Sequence, residues 1–311
     1  MTVRSEPVVR RRRRERGTAS VVEALLWLGP ALILIIGVVL YPAITLVATS
    51  FSSYSITGLR KGDAGITNYT TFLTSPDLPK VVGNTAIWVA AVVVITIILS
   101  LGLAQFLSKE FFGRRFVRWA VIVPWAAALV ISSQLFRLIL DYYHGILNQV
   151  LLNLHIIPQP IDWLGDPHFT LPSMIAVGIF VTIPFTAYLF VAGLNGIPGD
   201  VYEAARIDGG SPWQIYRAIT LPLLRPTLLI AVVLNMIYVF NSFPVIWILN
   251  GSNPGFGNDT LITYMYKLAF RSAQHDVGLS AAAGVFNVLL ILIAVAVYLR
   301  FVNWREGSKN A

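Results

Sequence analysis

The sequence predicts an all-α integral membrane protein with six membrane-spanning helices. Three observations support this. Hydrophobic residues fill 56% of the 311 positions and charged residues 12%, with a mean hydropathy of +0.70; a soluble domain carries about a quarter charged residues. Six runs free of Lys, Arg, Asp and Glu, at 24–59, 81–108, 119–136, 167–199, 226–258 and 277–299, can each hold the roughly 20 apolar residues that a bilayer-crossing helix requires. The cations cluster at alternate ends of these runs. The absence of cysteine excludes a disulfide framework and thiolate metal sites but fixes no compartment.

Residues 1–20 read as a basic tail and 21–311 as one transmembrane domain, with no strong internal repeat, heptad pattern or low-complexity linker beyond the tail. The five arginines at 10–14 could neutralise nucleic acid phosphates. Beside a first span, however, such a run fixes topology and touches anionic lipid, at about 1 kcal/mol per cation, so the expected partner is membrane lipid and not nucleic acid. The run at 24–59 is too long for a signal peptide and lacks a small-residue cleavage site in the right place, so it reads as a retained span. The third run, 119–136, is near the lower length limit.

With a cytoplasmic N-terminus, 17 of the 23 cations lie inside: Arg4, the arginines at 10–14 and Arg16; Lys109, Arg114, Arg115 and Arg118; Arg206, Arg217 and Arg225; Arg300, Arg305 and Lys309. That asymmetry is the positive-inside bias. It predicts a multi-pass protein of a bacterial cytoplasmic membrane with both termini inside, and it puts the polar stretch at 200–226 inside as well. In that stretch Asp200 is expected to cap a short helix from Val201, with Glu203 as reciprocal partner and Gly209 ending it in a left-handed conformation. Ser211 is expected to cap a second helix, with Pro212 at its first position and Gln214 closing an S-x-x-Q box. The two limbs form an elbow exposing Glu203, Arg206, Asp208, Gln214 and Arg217.

The elbow sequence EAARIDGGSPWQIYRAITLPLLRP resembles the EAA loop of binding-protein-dependent ABC importer permeases. Glu203, Ala204, Ala205, Asp208, Gly209, Leu221, Pro222 and Pro226 match its pattern; Gly210 stands where Ala is usual and Tyr216 where Phe is frequent. Two further stretches add to the likeness. GITNYTTFLTSPDLPKVVGNT carries Asn68, Tyr69, Pro76, Asn84 and Thr85 in the family's order. After the fifth run, NSFPVIWILNGSNPGFGNDTLITYMYKLAF is similar to the carbohydrate-importing, maltose-type branch through its Gly/Pro-rich turn at 250–257 and through Thr260, Leu261, Tyr264, Tyr266, Lys267, Ala269 and Phe270. The resemblance implies a type I importer permease with Glu203, Ala204, Ala205, Arg206, Asp208 and Gly209 as its ATPase-coupling residues. Glu203 would enter a cleft of the ATPase, and it can equally serve as a local cap. The implied partners are a second permease, two ATPase subunits that bind the ATP and Mg, and an extracytoplasmic solute-binding protein.

The chain carries little chemistry of its own. No G-x-x-x-x-G-K-[ST] occurs among its five lysines, so nucleotide phosphates find no such cradle here. His144, His155, His168 and His275 lack H-E-x-x-H spacing and suit solvated loops better than a metal. No cofactor, metal or catalytic residue is expected, and the chain reads as a transport subunit and not an enzyme. The spans offer uncharged polarity and aromatic rings instead, which suits a neutral hydroxylated ligand. Thr182 and Phe185 flank Pro184 on the fourth run; Asn235, Tyr238 and Ser242 follow i, i+3, i+7 on the fifth and are expected to share a face. In maltose-type permeases, positions matching Val181, Thr182, Phe185, Asn235, Tyr238, Val239 and Ser242 line the substrate site. The same polar groups could instead bond neighbouring helices.

The expected function is ATP-driven import of a sugar, oligosaccharide or polyol by alternating access. A glycerophosphodiester importer, a secondary transporter without ATPase partners and a transferase acting on lipid-linked sugar are the alternatives. Asp141, Asp162 and Asp166 give only faint support to the last.

Overall fold

The structure, a computed structural model, describes residues 18–251, 253, 255–271 and 276–307. The tail cations at 4–16 with Glu6 and Glu15, together with Pro254, His275 and Lys309, lie outside the described residues. The chain divides into two compact units, Met1–Ala48 and Thr49–Ala311.

The first unit holds helix α1 (Thr18–Leu34), a π-helical stretch Ile35–Leu40 and most of α2 (Tyr41–Ser50). Leu25–Ser50 is long and apolar enough to cross a membrane. The helix stops at Ser50, short of the end of the charge-free run at Leu59. In the second unit the remainder of that run folds back as a two-stranded antiparallel hairpin, β1 (Ser52–Tyr54) and β2 (Arg60–Asp63), in an otherwise helical protein. Gly58 turns it at φ +80°, a conformation that costs glycine least.

One short helix and one long one follow: α3 (Thr67–Leu73), then α4 (Leu78–Ser108). The third expected span is two helices, α5 (Arg114–Ala126) and α6 (Leu129–Ile139), separated where Ala127 and Ala128 are extended. After α7 (Ile146–Asn153) comes α8 (Pro167–Asn195), a continuous span capped by Asp166, whose carboxylate accepts the His168 N–H at 2.8 Å. Asp141 and Asp162 make similar local turns with Tyr143, His144 and Gly165, which accounts for these acids without chemistry.

The elbow consists of α9 (Gly199–Ile207), α10 (Pro212–Ile215), a π-helical stretch Tyr216–Thr220 and α11 (Leu221–Leu223). The fifth expected span is likewise discontinuous. Pro212–Leu223 and α12 (Arg225–Phe240) are bent by 65° at Leu224, between Pro222 and Pro226, and α12 ends where Pro244 has no N–H for the Phe240 carbonyl. The chain resumes as α13 (Phe243–Asn250), then α14 (Leu261–Phe270) and the last span, α15 (Val277–Gly307). Four described helices are long and apolar enough to cross a membrane, and the bent pair brings the total to five.

The core lies between α4 and α8, which run side by side in the same direction, with α12 returning between them. Trp88, Val92, Met174, Val177, Val239, Val245 and Ile246 are buried together there. Gly178 permits the close approach, since a Cβ on it would lie 2.6 Å from Trp88 Cη2. The Trp88 indole N–H donates to the Val239 carbonyl at 3.0 Å and so meets its polar requirement inside apolar surroundings.

Candidate functional site

Between α8 and α12 a cavity of ≈ 370 Å³ opens toward α5. Trp125, Val181, Thr182, Phe185, Leu234, Asn235, Ile237 and Tyr238 line it, and none of these is charged. Thr182, Phe185, Asn235 and Tyr238 thus meet in one place, as the sequence pattern led us to expect. Trp125 stacks on Phe185 with ring centroids 6.1 Å apart and planes 21° off parallel, and Tyr238 is 45% exposed. The rings of Trp125, Phe185 and Tyr238 dominate an uncharged, mostly apolar wall, against which the apolar C–H faces of a sugar can stack, while Thr182 and Asn235 contribute chiefly as buried residues behind it.

The polar groups also tie the helices together. Thr96 and Thr182 share a hydroxyl–hydroxyl bond of 2.7 Å across α4 and α8, and Ser100 donates to the Ile183 carbonyl at 3.2 Å beside Pro184. Asn235 donates to Thr186 Oγ1 at 3.0 Å and to the Ala231 carbonyl at 2.9 Å. The structure thus places Thr182, Phe185, Asn235 and Tyr238 on the cavity wall and has Thr182 and Asn235 bonding neighbouring helices as well. Thr96 and Thr186 escaped the sequence reading. Thr186 lies one turn beyond Thr182 and was detectable in principle by that spacing, whereas nothing in sequence pairs Thr96 with Thr182.

Ser242 does not share the face. The i, i+3, i+7 pattern assumes an unbroken helix, but α12 has ended by Asn241, and Ser242 begins α13 buried away from the cavity. Val239 is also turned into the core, where its carbonyl receives Trp88. Asn241, exposed, bonds back to the Ile237 carbonyl at 2.8 Å.

At one end of the helices lies the elbow. Ser211 and Gln214 make the expected capping box, with Ser211 N–H donating to Gln214 Oε1 at 2.8 Å and Gln214 N–H to Ser211 Oγ at 3.4 Å. Gly209 adopts φ +78°, and the N–H groups of Gly209 and Gly210 reach the Arg206 and Ala205 carbonyls at 3.1 and 3.0 Å, a complete Schellman ending. The cap expected at Asp200 is absent. The chain turns helical at Gly199, directly after extended Pro198, so Asp200 is already inside the first turn and its carboxylate caps no N–H. It still favours the helix N-terminus by charge. Glu203, Ala204, Arg206, Asp208 and Gly209 are exposed on the elbow, with Ala205 partly covered. Trp213, on the second limb, and Ile207, on the first, are large apolar residues left 66% and 86% exposed.

At the opposite end, the stretches carrying Asn68, Asn84, Thr85 and Lys267 form one knot. Asn68 donates to the Ser50 and Ser52 carbonyls, and Asn84 to those of Gly257 and Asp259. Thr85 accepts from the Leu261 N–H at 2.9 Å. At its centre Lys267 Nζ lies 2.8 Å from Asp259 Oδ2, with side chains 7% and 1% exposed. Burial raises the Asp259 pKa, opposed by the Lys267 ammonium and by donors on Thr263 and Asn250. Among the described residues no group of His, Asp and Glu gathers as metal ligands.

Comparison with known proteins agrees with this architecture. Residues 96–306 match the family model described as binding-protein-dependent transport system inner membrane component. A probable ABC transporter permease protein of Brucella suis is 37% identical over 280 residues, 90% of this chain and 96% of that protein. The sulfoquinovosyl glycerol transport system permease protein SmoG of Agrobacterium fabrum is 31% identical, covering 91% of each chain. The trehalose/maltose transport system permease protein MalF of Thermococcus litoralis is 36% identical over 67% of this chain and 69% of its own. Among solved structures, a chain of a bacterial ABC transporter involved in the import of the acidic polysaccharide alginate superimposes with a TM-score of 0.78 at 22% identity, over 92% of this chain and 96% of that one. With its helical membrane architecture, its elbow and this family match, the chain belongs to the inner-membrane permease components of binding-protein-dependent ABC transport systems.

Proposed function

We propose that this permease imports a sugar, oligosaccharide or polyol, and that the ligand passes through the cavity between α8 and α12. The observation that carries the reading is the lining itself: the aromatic faces of Trp125, Phe185 and Tyr238 in an uncharged wall, a surface on which the C–H faces of a neutral sugar can stack. The trehalose/maltose and diacetylchitobiose names of two relatives support a neutral sugar, and the sulfoquinovosyl glycerol name of a third supports a sugar more broadly. A second permease, two ATPase subunits that bind ATP and Mg, and an external solute-binding protein complete the assembly. The cation distribution supports a cytoplasmic side for the elbow and both termini.

Mechanically, the elbow is suited to transmit force. The joint between its two short helices is fixed by the Schellman ending of the first and the capping box of the second, and the second limb runs through the 65° bend into α12, whose Asn235 and Tyr238 line the cavity. Displacement of the elbow by an ATPase would therefore move one wall of the cavity against α8, as alternating access requires. Glu203, Ala204, Ala205, Arg206, Asp208 and Gly209 form the docking surface.

The test is ATP hydrolysis by the assembled complex in lipid nanodiscs, with its binding protein, across sugars, polyols and glycerophosphodiesters. Stimulation by a neutral sugar or polyol is expected. Stimulation by glycerophosphodiesters alone would replace the ligand class, and transport without any ATPase would overturn the assembly. Glu203→Lys is expected to uncouple or release the ATPase while membrane insertion is retained; normal ATPase recovery and transport in that variant would remove Glu203 from the docking surface.

A further inference from the structure

A second cavity, ≈ 620 Å³, separates the end of α4 from both limbs of the elbow. Its polar side chains are Gln105, Lys109, Tyr202, Arg206, Tyr216 and Thr220. None of the lining residues is acidic; Glu110 and Asp208 adjoin the cavity in sequence but do not line it. Among the described residues, neither Lys109 nor Arg206 is in an ion pair. Gln105 Nε2 is buried and has no hydrogen-bond partner, an arrangement that protein interiors rarely tolerate. Thr220 donates to the Tyr202 hydroxyl oxygen at 3.2 Å, which leaves the Tyr202 proton free to donate elsewhere.

Two positive charges and a free phenolic proton thus share a space with no anion in its walls, and the buried, unpartnered Gln105 amide lies just behind its surface. A ligand that suits it is negatively charged and rich in acceptors facing several directions. A phosphate group meets both conditions better than a planar carboxylate, and Arg and Lys are its usual protein partners. We propose that this cavity binds a phosphate group, carried either by an anionic phospholipid headgroup or by a free phosphorylated compound, and that the bound phosphate braces the elbow against α4.

The brace has a mechanical consequence. Lys109 follows α4, Arg206 and Tyr202 belong to the first limb, and Tyr216 to the second, so one anion bridges all three. Occupancy stiffens the elbow against the span beside it and changes how much of an elbow displacement reaches α12. This inference rests on the elbow geometry alone; it stands or falls apart from the sugar assignment.

The test uses the full chain in neutral detergent, titrated with inorganic phosphate by phosphorus NMR, while native mass spectrometry follows retained phosphatidylglycerol. Saturable phosphate binding is expected, weakened at least tenfold in Lys109→Gln and in Arg206→Gln. Phosphatidylglycerol that is retained by the natural chain, lost from the variants and displaced by phosphate assigns the headgroup as source; phosphate binding without retained lipid assigns a free phosphorylated compound. Lys109 and Arg206 are exposed, so the variants should melt like the natural chain in phosphate-free buffer, and Tyr202→Phe, which removes one donor, should weaken binding by a smaller factor. The proposal is overturned if neither ligand binds, if the variants bind as well as the natural chain, or if binding vanishes once the ATPase subunits are attached, because the cavity would then be filled by their side chains.

Discussion

The cavity between α8 and α12 and the knot around Asp259 and Lys267 use polar residues in opposite ways. At the cavity every lining residue is uncharged, and two of them make modest bonds to a neighbouring helix: Thr182 with Thr96, Asn235 with Thr186. In the knot a full ion pair is buried, with Asn250 and Thr263 completing the shell of the carboxylate. The difference teaches where charge is tolerable. At the end of the bundle, a fixed pair surrounded by donors holds the Gly-rich turn and α14 to α4. A neutral wall suits the proposed passage of a ligand, since a fixed charge there would bind too strongly or strand itself, and shared bonds supply the rigidity.

The comparison breaks most easily at the knot. Lys267→Met strands the Asp259 carboxylate in a buried site and is expected to cost about 3–5 kcal/mol, read as a large fall in the melting temperature of the detergent-purified protein. Adding Asp259→Asn should recover much of the loss. If the single variant melts normally, the pair is not structural.

The converse experiment puts charge into the cavity. Val181→Lys is expected to cost about 2.5–3.5 kcal/mol if the ammonium stays within the membrane and to abolish transport, measured as inserted protein and as uptake in proteoliposomes. Normal uptake would show that the cavity is not on the ligand's path.

Subtler changes sharpen the contrast between holding and transporting. Asn235→Leu removes an interhelical bond worth about 0.6 kcal/mol on average in membrane helices, and Tyr238→Ala removes a half-exposed ring. Both variants should assemble almost normally yet show uptake reduced by an order of magnitude or more. At the knot, Thr263→Ala should cost about 1 kcal/mol with uptake unchanged. Wild-type uptake in both cavity variants would move the ligand site to the partner permease.

The elbow was legible because its signals are local. A glycine at +78° and a Ser-Pro-x-Gln start specify their backbone within four residues, and both are present. Asp200 misled because a cap residue must be non-helical, and the helix begins one residue before it. The placement of Thr182, Asn235 and Tyr238 on one cavity was legible because each is an uncharged polar group in an apolar run at helical spacing from the next candidate, and that of Phe185 because it lies one turn from Thr182 around Pro184. Ser242 was not, since helical spacing holds only while the helix continues; Pro244 carried that warning in the sequence. Neither the Thr96–Thr182 bond nor the burial of Lys267 against Asp259 was legible, because each depends on which segments meet in space. The breaks at Ala127–Ala128 and Ser242 likewise turn two continuous apolar runs into paired helices, a distinction that hydropathy does not record.

The chain contains no cysteine, so Leu234→Cys, at a cavity-lining position that makes no ligand contact in this account, places one thiol of this subunit at the cavity wall. The most direct test of the account is the rate at which a membrane-impermeant maleimide labels that thiol in the reconstituted complex, with and without the sugar that stimulates its ATPase. The account predicts that the sugar slows labelling and that ATP turnover changes the side of the membrane from which the thiol is reached. Labelling indifferent to both, in a complex that still transports, would contradict it.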